Sequence, residues 1–274
     1  MLINMNNILK EADQKRQAIA HFNINNLEWT KYILEVAQEE QVPIILGVSE
    51  SAIKYMGGYQ VVSSFVNALI RDLSIQIPVV LHLDHGKSFE SCKKAIDAGF
   101  TSVMIDGSSY PLEKNIEITK TVCKYAKEKN ISVEAELGSL DAAQKTNIED
   151  IITFIQNVDI DALAPSVGNA HGLYKGEVKL DISLINKIKE VTHLPLVLHG
   201  GTGIPDNQIK ESIQNGICKI NVNTELQVAW SNEVRKYLSE NEQVYDPRKI
   251  ISSGERSLKE KVREKIKTFK NNNI

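Results

Sequence analysis

Cysteine is scarce in this sequence, and long apolar runs are missing. The only three cysteines, Cys92, Cys123 and Cys218, form no CxxC pair, which predicts reduced core residues in a cytoplasmic protein. No stretch approaches the ~18 apolar residues of a membrane span, and the N-terminus lacks the basic-then-apolar signal pattern. We therefore expect a soluble protein with no membrane partner.

Excess charge is also absent. The net charge is −3 and the pI is about 6.1, so the composition implies no general attraction to nucleic acid. Lysines are dense between 259 and 270, but they alternate with glutamates and apolar residues. That pattern favours a solvated amphipathic helix over a nucleic-acid-binding arm.

What the sequence does contain is a regular alternation of short apolar runs and amphipathic stretches. The stretch EWTKYILEVAQEE, for example, places apolar residues on one face and charges on the other, which predicts a helix. Eight apolar runs, each followed by such a stretch, predict strands at 18–23, 43–49, 78–84, 102–108, 132–137, 161–168, 195–201 and 217–224. Alternation of this kind indicates parallel βαβ units.

Such units close either as a doubly wound open sheet or as a (β/α)8 barrel. No G-x-G-x-x-G follows the first strand, which argues against a dinucleotide-binding open sheet. The count of eight, the even spacing and the polar residues after almost every strand favour the barrel. No low-complexity break divides the chain, so we expect one α/β domain over 1–274, a (β/α)8 TIM barrel whose last ~30 residues form a helical extension.

Polar side chains stand at the predicted strand ends, where a barrel builds its site. The run VVLHLDHGKSF at 79–89 places titratable side chains in or beside a predicted buried strand. Burying such groups costs free energy unless each has a partner or a ligand. In chain order the strand ends offer Asn23, Ser49, Glu50, Asp84, His85, Asp106, Ser108, Glu134, Glu136, His171, His199, Asn221, Asn223 and Thr224. In a barrel these positions converge on one mouth.

Three of these residues are histidines, and together they predict an open metal site. His85, His171 and His199 would give Zn²⁺ three neutral ligands and leave a fourth position for substrate. The alternative is three separately hydrogen-bonded histidines. Of the others, we expect His193 at the surface, and His82 in the interior.

His21, near the end of the first strand, is expected to be structural. Asp84 is a candidate general acid/base beside the metal, or alternatively a partner that orients His85. The segments HGGTGIP and NVNT lie where barrels commonly bind phosphate, because glycine allows close approach of backbone N–H groups. Two ordinary glycine turns are the alternative. Lys175 adds a positive charge nearby.

Seven segments in this order resemble the class II, metal-dependent fructose/tagatose-bisphosphate aldolase family over almost the whole chain. They are AHFNINNLEWTKYIL, VVLHLDHGKSFESCKKAIDAGFTSVMIDGS, ISVEAELG, GNAHGLYKG, PLVLHGGTGIP, KINVNTE and YDPRKI. The resemblance implies a reversible, zinc-dependent cleavage of fructose 1,6-bisphosphate to dihydroxyacetone phosphate and glyceraldehyde 3-phosphate. Co²⁺ and Fe²⁺ are the alternative metals.

The resemblance also assigns roles position by position. His85, His171 and His199 match the zinc ligands, Asp84 the acid/base at the C4 hydroxyl, and Asp106 and Glu136 the acidic pair around the metal. The positions that match substrate contacts are Asn23 and Ser49 near the distal phosphate, Gly172, Lys175, Gly200, Gly201 and Thr202 in the phosphate loops, and Asn221, Asn223 and Thr224 on the same half. A monovalent cation, Na⁺ or K⁺, often accompanies these loops.

Arg248 matches an arginine that the family donates to a neighbouring subunit, which implies a homodimer or homotetramer. The sequence departs from the family after EAELG, where a GG and an acidic pair are expected but SLDAAQKTNIEDII stands. Asp141 is the nearest substitute for the group that moves the C1 proton of dihydroxyacetone phosphate, whereas Glu149 and Asp150 fit a helix start. Ser109 stands where the family often has histidine.

The sequence leaves three possible functions open. The first is a fructose-1,6-bisphosphate aldolase. The second is an aldolase for tagatose 1,6-bisphosphate, which differs at one stereocentre, or for another phosphorylated keto-sugar. The third is a non-catalytic phospho-sugar-binding descendant, against which the intact Asp84 argues.

Overall fold

Eight parallel strands close into a barrel in the computed structural model, which describes residues 2–138, 145–170, 172 and 178–271. Each strand pairs with its neighbours in chain order, and β1 pairs with β8. The strands are β1 Ile19–Asn23, β2 Ile44–Ser49, β3 Val79–Gly86, β4 Ser102–Ile105, β5 Ser132–Leu137, β6 Ala162–Pro165, β7 Leu196–Leu198 and β8 Ile217–Val222. The predicted (β/α)8 barrel is confirmed, and every strand lies in a predicted apolar run, except that β3 extends to Gly86.

Helices surround the barrel and connect successive strands. Within the described residues they are α1 Asn6–Gln14, α2 Leu27–Glu39, α3 Glu50–Tyr55, α4 Tyr59–Asp72, α5 Phe89–Asp97, α6 Leu112–Lys127, α7 Ile148–Ile155, α8 Ile182–Thr192, α9 Asp206–Gln214, α10 Thr224–Glu240, α11 Pro247–Ser252 and α12 Glu255–Lys270. Several begin at a side-chain cap just beyond a strand end, such as Asn26 before α2 and Ser88 before α5. Glu149 and Asp150 lie in the first turn of α7, as predicted.

The barrel is closed by apolar packing at the end opposite the strand carboxyl ends. Met5, just before α1, and Ile8 and Leu9 of α1 pack against barrel residues such as Ile19 and Val80. A second apolar layer fills the space between the strands and the outer helices. Cys92, Cys123 and Cys218 are all buried with free thiols, as expected. Access to the interior is therefore from the carboxyl ends of the strands.

The lysine-rich C-terminal segment forms α12, which packs on its own barrel. Leu258, Val262 and Phe269 of this helix are buried in the outer apolar layer. Its charged face carries ion pairs to α2, including one of 2.7 Å between Lys259 and Glu35. The predicted amphipathic helix is thus confirmed. Over the described residues, no helix combines the length and apolar character needed to span a membrane.

Gly47 of β2 makes room for a histidine inside the barrel. A Cβ atom at position 47 would lie 1.6 Å from Nε2 of His21, whose ring meets that of His82 edge-on at 5.4 Å. We expect Gly47→Ala to destabilise the fold by about 1–3 kcal/mol or more, because overpacking must displace a buried ring.

Urea unfolding measures this effect of Gly47→Ala. The informative control is the double variant Gly47→Ala with His21→Ala, which removes the obstructing ring. The double variant should be more stable than the two single effects predict by addition. Additive losses would show that the steric conflict is relieved in some other way.

Candidate active site

A local irregularity in β3 turns two consecutive side chains toward the barrel mouth. Residues along a strand normally alternate between faces. Here the pairing of β3 with β4 shifts register between Leu83 and Gly86, and His85 adopts a left-handed φ of 51°. A non-glycine residue in this region is uncommon and marks a constrained position. As a result, Asp84 and His85 both line the same cavity.

The His85 ring is the centre of a cluster of metal-ligand side chains. Its Nε2 atom lies 3.0 Å from Nδ1 of His199, and its Nδ1 atom lies 3.1 Å from Oδ2 of Asp106. Glu136 Oε2 is 3.7 Å from the same Nδ1 atom, and Asp84 Oδ1 is 3.9 Å from Nε2. Strands β3, β4, β5 and β7 thus bring these five side chains together, as the strand-end argument predicts.

The electrostatics of this cluster favour a positive charge at its centre. Burial opposes protonation of His85, but Asp84, Asp106 and Glu136 outweigh it and raise the pKa of the ring to about 9. Burial and the neighbouring Asp106 raise the pKa of Glu136 to about 8. Carboxylates that stabilise an imidazolium would stabilise a cation in the same place.

The donor set fits a divalent metal. Ligand atoms of Asp84, His85 and His199 lie within 4.8 Å of one another, as do those of His85, Asp106 and Glu136. The buried Oε2 atom of Glu136 has no hydrogen-bond partner among the described residues. Imidazole nitrogens with carboxylate oxygens are ligands typical of zinc and neighbouring transition metals. The structure therefore contains a His/Asp site that could hold a metal ion.

Asp84 is fixed from two sides by amide groups. Asn23 Nδ2 donates to Oδ2 at 2.8 Å, and Asn221 Nδ2 donates to Oδ1 at 3.3 Å. Burial alone would raise the pKa of Asp84, but His85 and other nearby basic groups hold it well below its usual range. The side chain is a buried, oriented carboxylate facing the cavity.

Most of the predicted site residues line one cavity of about 450 Å³ at the carboxyl ends of the strands. The predicted residues in its wall are Asn23, Ser49, Asp84, His85, Asp106, Glu136, Gly172, His199, Gly200, Thr202, Asn221, Asn223 and Thr224. Gly201 lies behind the wall, where a Cβ would meet Ile220 at 2.7 Å. Two predicted residues, His171 and Lys175, and the candidate Asp141 lie outside the described residues.

Arg248 lies on α11 and is not in the wall of this cavity. Its guanidinium Nη2 contacts Oδ2 of Asp246 at 2.9 Å, and 90% of its side-chain surface is exposed. Its predicted role in a neighbouring subunit's site stays a prediction. The other histidines are where the sequence places them: His21 and His82 are buried, and His193 is exposed at the end of α8.

Three residues of the cavity wall are not among the predicted site residues. Lys87 stands two residues beyond His85, and its Nζ atom contacts Oδ2 of Asp106 at 2.5 Å. Asn25 and Ser109 also line the cavity. All three lie in loops after strands; closeness to a strand end is the sequence signal for Asn25 and Lys87, and Ser109 also stands where the resembled family often has histidine.

The sequence matches the family described as fructose-bisphosphate aldolase class-II over residues 3–274. It is 48% identical over 277 residues to a fructose-bisphosphate aldolase of Geobacillus stearothermophilus, covering 98% of this chain and 96% of the relative. It is 49% identical over 281 residues to one of Staphylococcus aureus, covering 99% and 98%.

Among solved structures, the YdjI aldolase of Escherichia coli K12 superimposes with a TM-score of 0.88 at 32% identity. The superposition covers 98% of this chain and 97% of that chain. The two chains therefore share the barrel fold.

Proposed function

This chain belongs to the class II fructose-bisphosphate aldolase family, and on that premise we propose that it catalyses the reversible, zinc-dependent cleavage of fructose 1,6-bisphosphate. The products are dihydroxyacetone phosphate and glyceraldehyde 3-phosphate. The observation that carries the proposal is the convergence of His85, His199 and the fixed carboxylate Asp84 in one cavity.

His85 and His199, with His171 as the third predicted ligand, would hold the metal. Their nearest ring nitrogens are 3.0 Å apart and face each other. Asp106 and Glu136 supply negative charge on the other side of the His85 ring. When bound, a divalent metal acts as a Lewis acid that stabilises the negative charge left on the ketone half after C3–C4 cleavage.

Asp84 is the group that takes the proton from the C4 hydroxyl during cleavage and returns it during condensation. A general base must be ionised and within reach of its proton. The low pKa of Asp84 keeps the carboxylate ionised, and Asn23 and Asn221 fix its orientation. The family resemblance places Asn23 near the distal phosphate and Asn221 on the ketone half, so their bonds to Asp84 give each an additional role.

The phosphate of the ketone half is proposed to bind where β7 and β8 end. Gly200, Thr202 and Asn223 line the cavity there, and α10 begins at Thr224 in its wall. The first N–H groups of a helix and the positive end of its dipole favour an anion. Lys175 is proposed to add a cation, and Na⁺ or K⁺ to accompany the phosphate.

Arg248 is proposed to serve a neighbouring subunit in a homodimer or homotetramer. Its exposed guanidinium, on α11 outside this chain's cavity, supports that assignment. A cytoplasmic location is proposed from the three free, buried thiols and from the relatives' names.

The experiment that tests the function is a coupled assay of triose phosphate release by the purified protein. Fructose 1,6-bisphosphate and tagatose 1,6-bisphosphate are supplied separately, each with added Zn²⁺. We expect a higher kcat/KM for the fructose substrate. Preference for the tagatose substrate would reassign the sugar, and no release from either would indicate a phospho-sugar-binding protein without turnover.

A further inference from the structure

A buried ion pair lies beneath the metal-ligand cluster, inside the barrel. Lys219 of β8 and Glu134 of β5 are both 0% exposed, and Lys219 Nζ donates to Glu134 Oε2 at 2.7 Å. Burying two charges costs free energy, and an apolar pair of similar volume is often as stable. The proposed reaction gives neither residue a task, so their presence calls for another explanation.

The free oxygen of this carboxylate contacts a predicted metal ligand. Glu134 Oε1 lies 2.8 Å from Nε2 of His199, whose ring is 1% exposed. The Lys219 ammonium donates to Oε2 of the same carboxylate, and this buried ion pair holds Glu134 as a carboxylate with Oε1 left as an acceptor. An ionised carboxylate only accepts hydrogen bonds, so Nε2 of His199 must carry the proton.

The other ring nitrogen of His199 then has a lone pair directed at the metal cluster. Nδ1 is 3.0 Å from His85 Nε2, and the Nδ2 donor of Asn221 lies 3.4 Å from it. Both neighbours fit an unprotonated Nδ1 atom. A metal-binding histidine commonly donates its second N–H to a carboxylate, which fixes the tautomer and the ring orientation.

We propose that Glu134 and Lys219 are positioning residues that hold His199 as the Nε2–H tautomer, so that Nδ1 is kept ready for the metal. Lys219 keeps Glu134 ionised, and Glu134 orients His199. The proposal rests on the proposed function in that it takes the bound group to be a divalent metal. It assigns roles to two residues that are themselves members of neither the metal-ligand groups nor the cavity wall.

Two double variants distinguish the effect of the hydrogen-bond acceptor beside His199 from the effect of the two buried charges. Glu134→Gln with Lys219→Met removes both charges but keeps a carbonyl oxygen beside His199. The new amide nitrogen takes the place of Oε2, which lies 3.8 Å from Nε2 of His82, an atom with no hydrogen-bond partner among the described residues. Glu134→Leu with Lys219→Met removes the acceptor as well. Neither variant leaves a lone buried charge, so both are expected to fold.

The first readout is Zn²⁺ affinity, measured by competition with a chromophoric chelator. We expect the Leu/Met variant to bind Zn²⁺ about 10–100-fold more weakly than the Gln/Met variant. The Zn²⁺ affinity of the Gln/Met variant should stay close to that of the unchanged chain. The second readout is the tautomer of His199 in the metal-free protein, by ¹⁵N NMR of the imidazole. The Gln/Met variant should keep Nε2–H, whereas the Leu/Met variant should populate both tautomers.

A matched control is Ser102→Ala, which removes the 2.8 Å partner of His82 in the same buried layer without touching His199. It should change neither readout. Equal Zn²⁺ affinity and equal tautomers in the two double variants would overturn the proposal. If the unchanged chain binds no Zn²⁺, the proposed function fails, and the tautomer measurement still decides this inference.

Discussion

Replacing Asp84 with alanine is expected to lower kcat for fructose 1,6-bisphosphate cleavage by roughly 10²–10⁴-fold, the range for losing a general acid/base. The reason is that no other described carboxylate both faces the cavity and is held by two amide donors. Asp106 and Glu136 belong to the opposite side of the His85 ring. Their positions suit a cation better than a substrate hydroxyl.

A second measurement on Asp84→Ala distinguishes proton transfer at the C4 hydroxyl from a role in the metal cluster. Exchange of the C1 proton of dihydroxyacetone phosphate with solvent involves no C4 hydroxyl. This exchange should therefore survive in the variant while cleavage is lost. The control Asp97→Ala removes an exposed carboxylate at the end of α5 and should leave both rates unchanged. Equal loss of exchange and cleavage would mean that Asp84 acts on the metal cluster instead.

The barrel was predictable because its signals are local and repeated. An apolar run such as PVVLHLD is followed by an amphipathic stretch, and this alternation occurs eight times. The carboxyl ends of parallel strands lie at the same rim, so the predicted strand ends alone place Asp84, Asp106 and Glu136 together. The observed cavity wall contains all three.

Other features of the site depend on tertiary geometry that no local pattern encodes. The left-handed φ of His85 follows from a register shift between β3 and β4, not from a glycine. Likewise, Lys219 is a single charged residue in the apolar run ICKINV, and nothing in that run indicates its partner. The closed barrel brings Glu134 into contact with it. Pairings across the barrel interior join residues 85 positions apart, beyond the reach of periodicity.

The residue that replaces the acidic pair expected after β5 is the hardest part of the site to predict. The family resemblance requires a group that moves the C1 proton, and SLDAAQKT is too short to carry the usual motif. Glu149 and Asp150 occupy the first turn of α7, where they interact with the helix dipole. That placement leaves Asp141, outside the described residues, as the predicted substitute.

His85→Ala is expected to abolish measurable aldolase activity at micromolar Zn²⁺. The ring is the shared member of both ligand groups, since it joins Asp84 and His199 on one side and Asp106 and Glu136 on the other. Losing an outer partner of a ligand costs about 10–100-fold in metal affinity, so losing the ligand itself should cost more.

Zn²⁺ titration and the cleavage assay measure this loss together, before and after treatment with a chelator. In the unchanged chain, chelation should remove activity and added Zn²⁺ should restore it. In His85→Ala, millimolar Zn²⁺ should restore little, because the imidazole that links Asp84 and His199 to Asp106 and Glu136 is missing. His193→Ala is the matched control, since that histidine is exposed at the C-terminus of α8, and it should behave like the unchanged chain. Full activity of His85→Ala after chelation would exclude a metal-dependent aldol cleavage at this site, because among the described residues the two ligand groups that lie wholly in the cavity wall both contain His85.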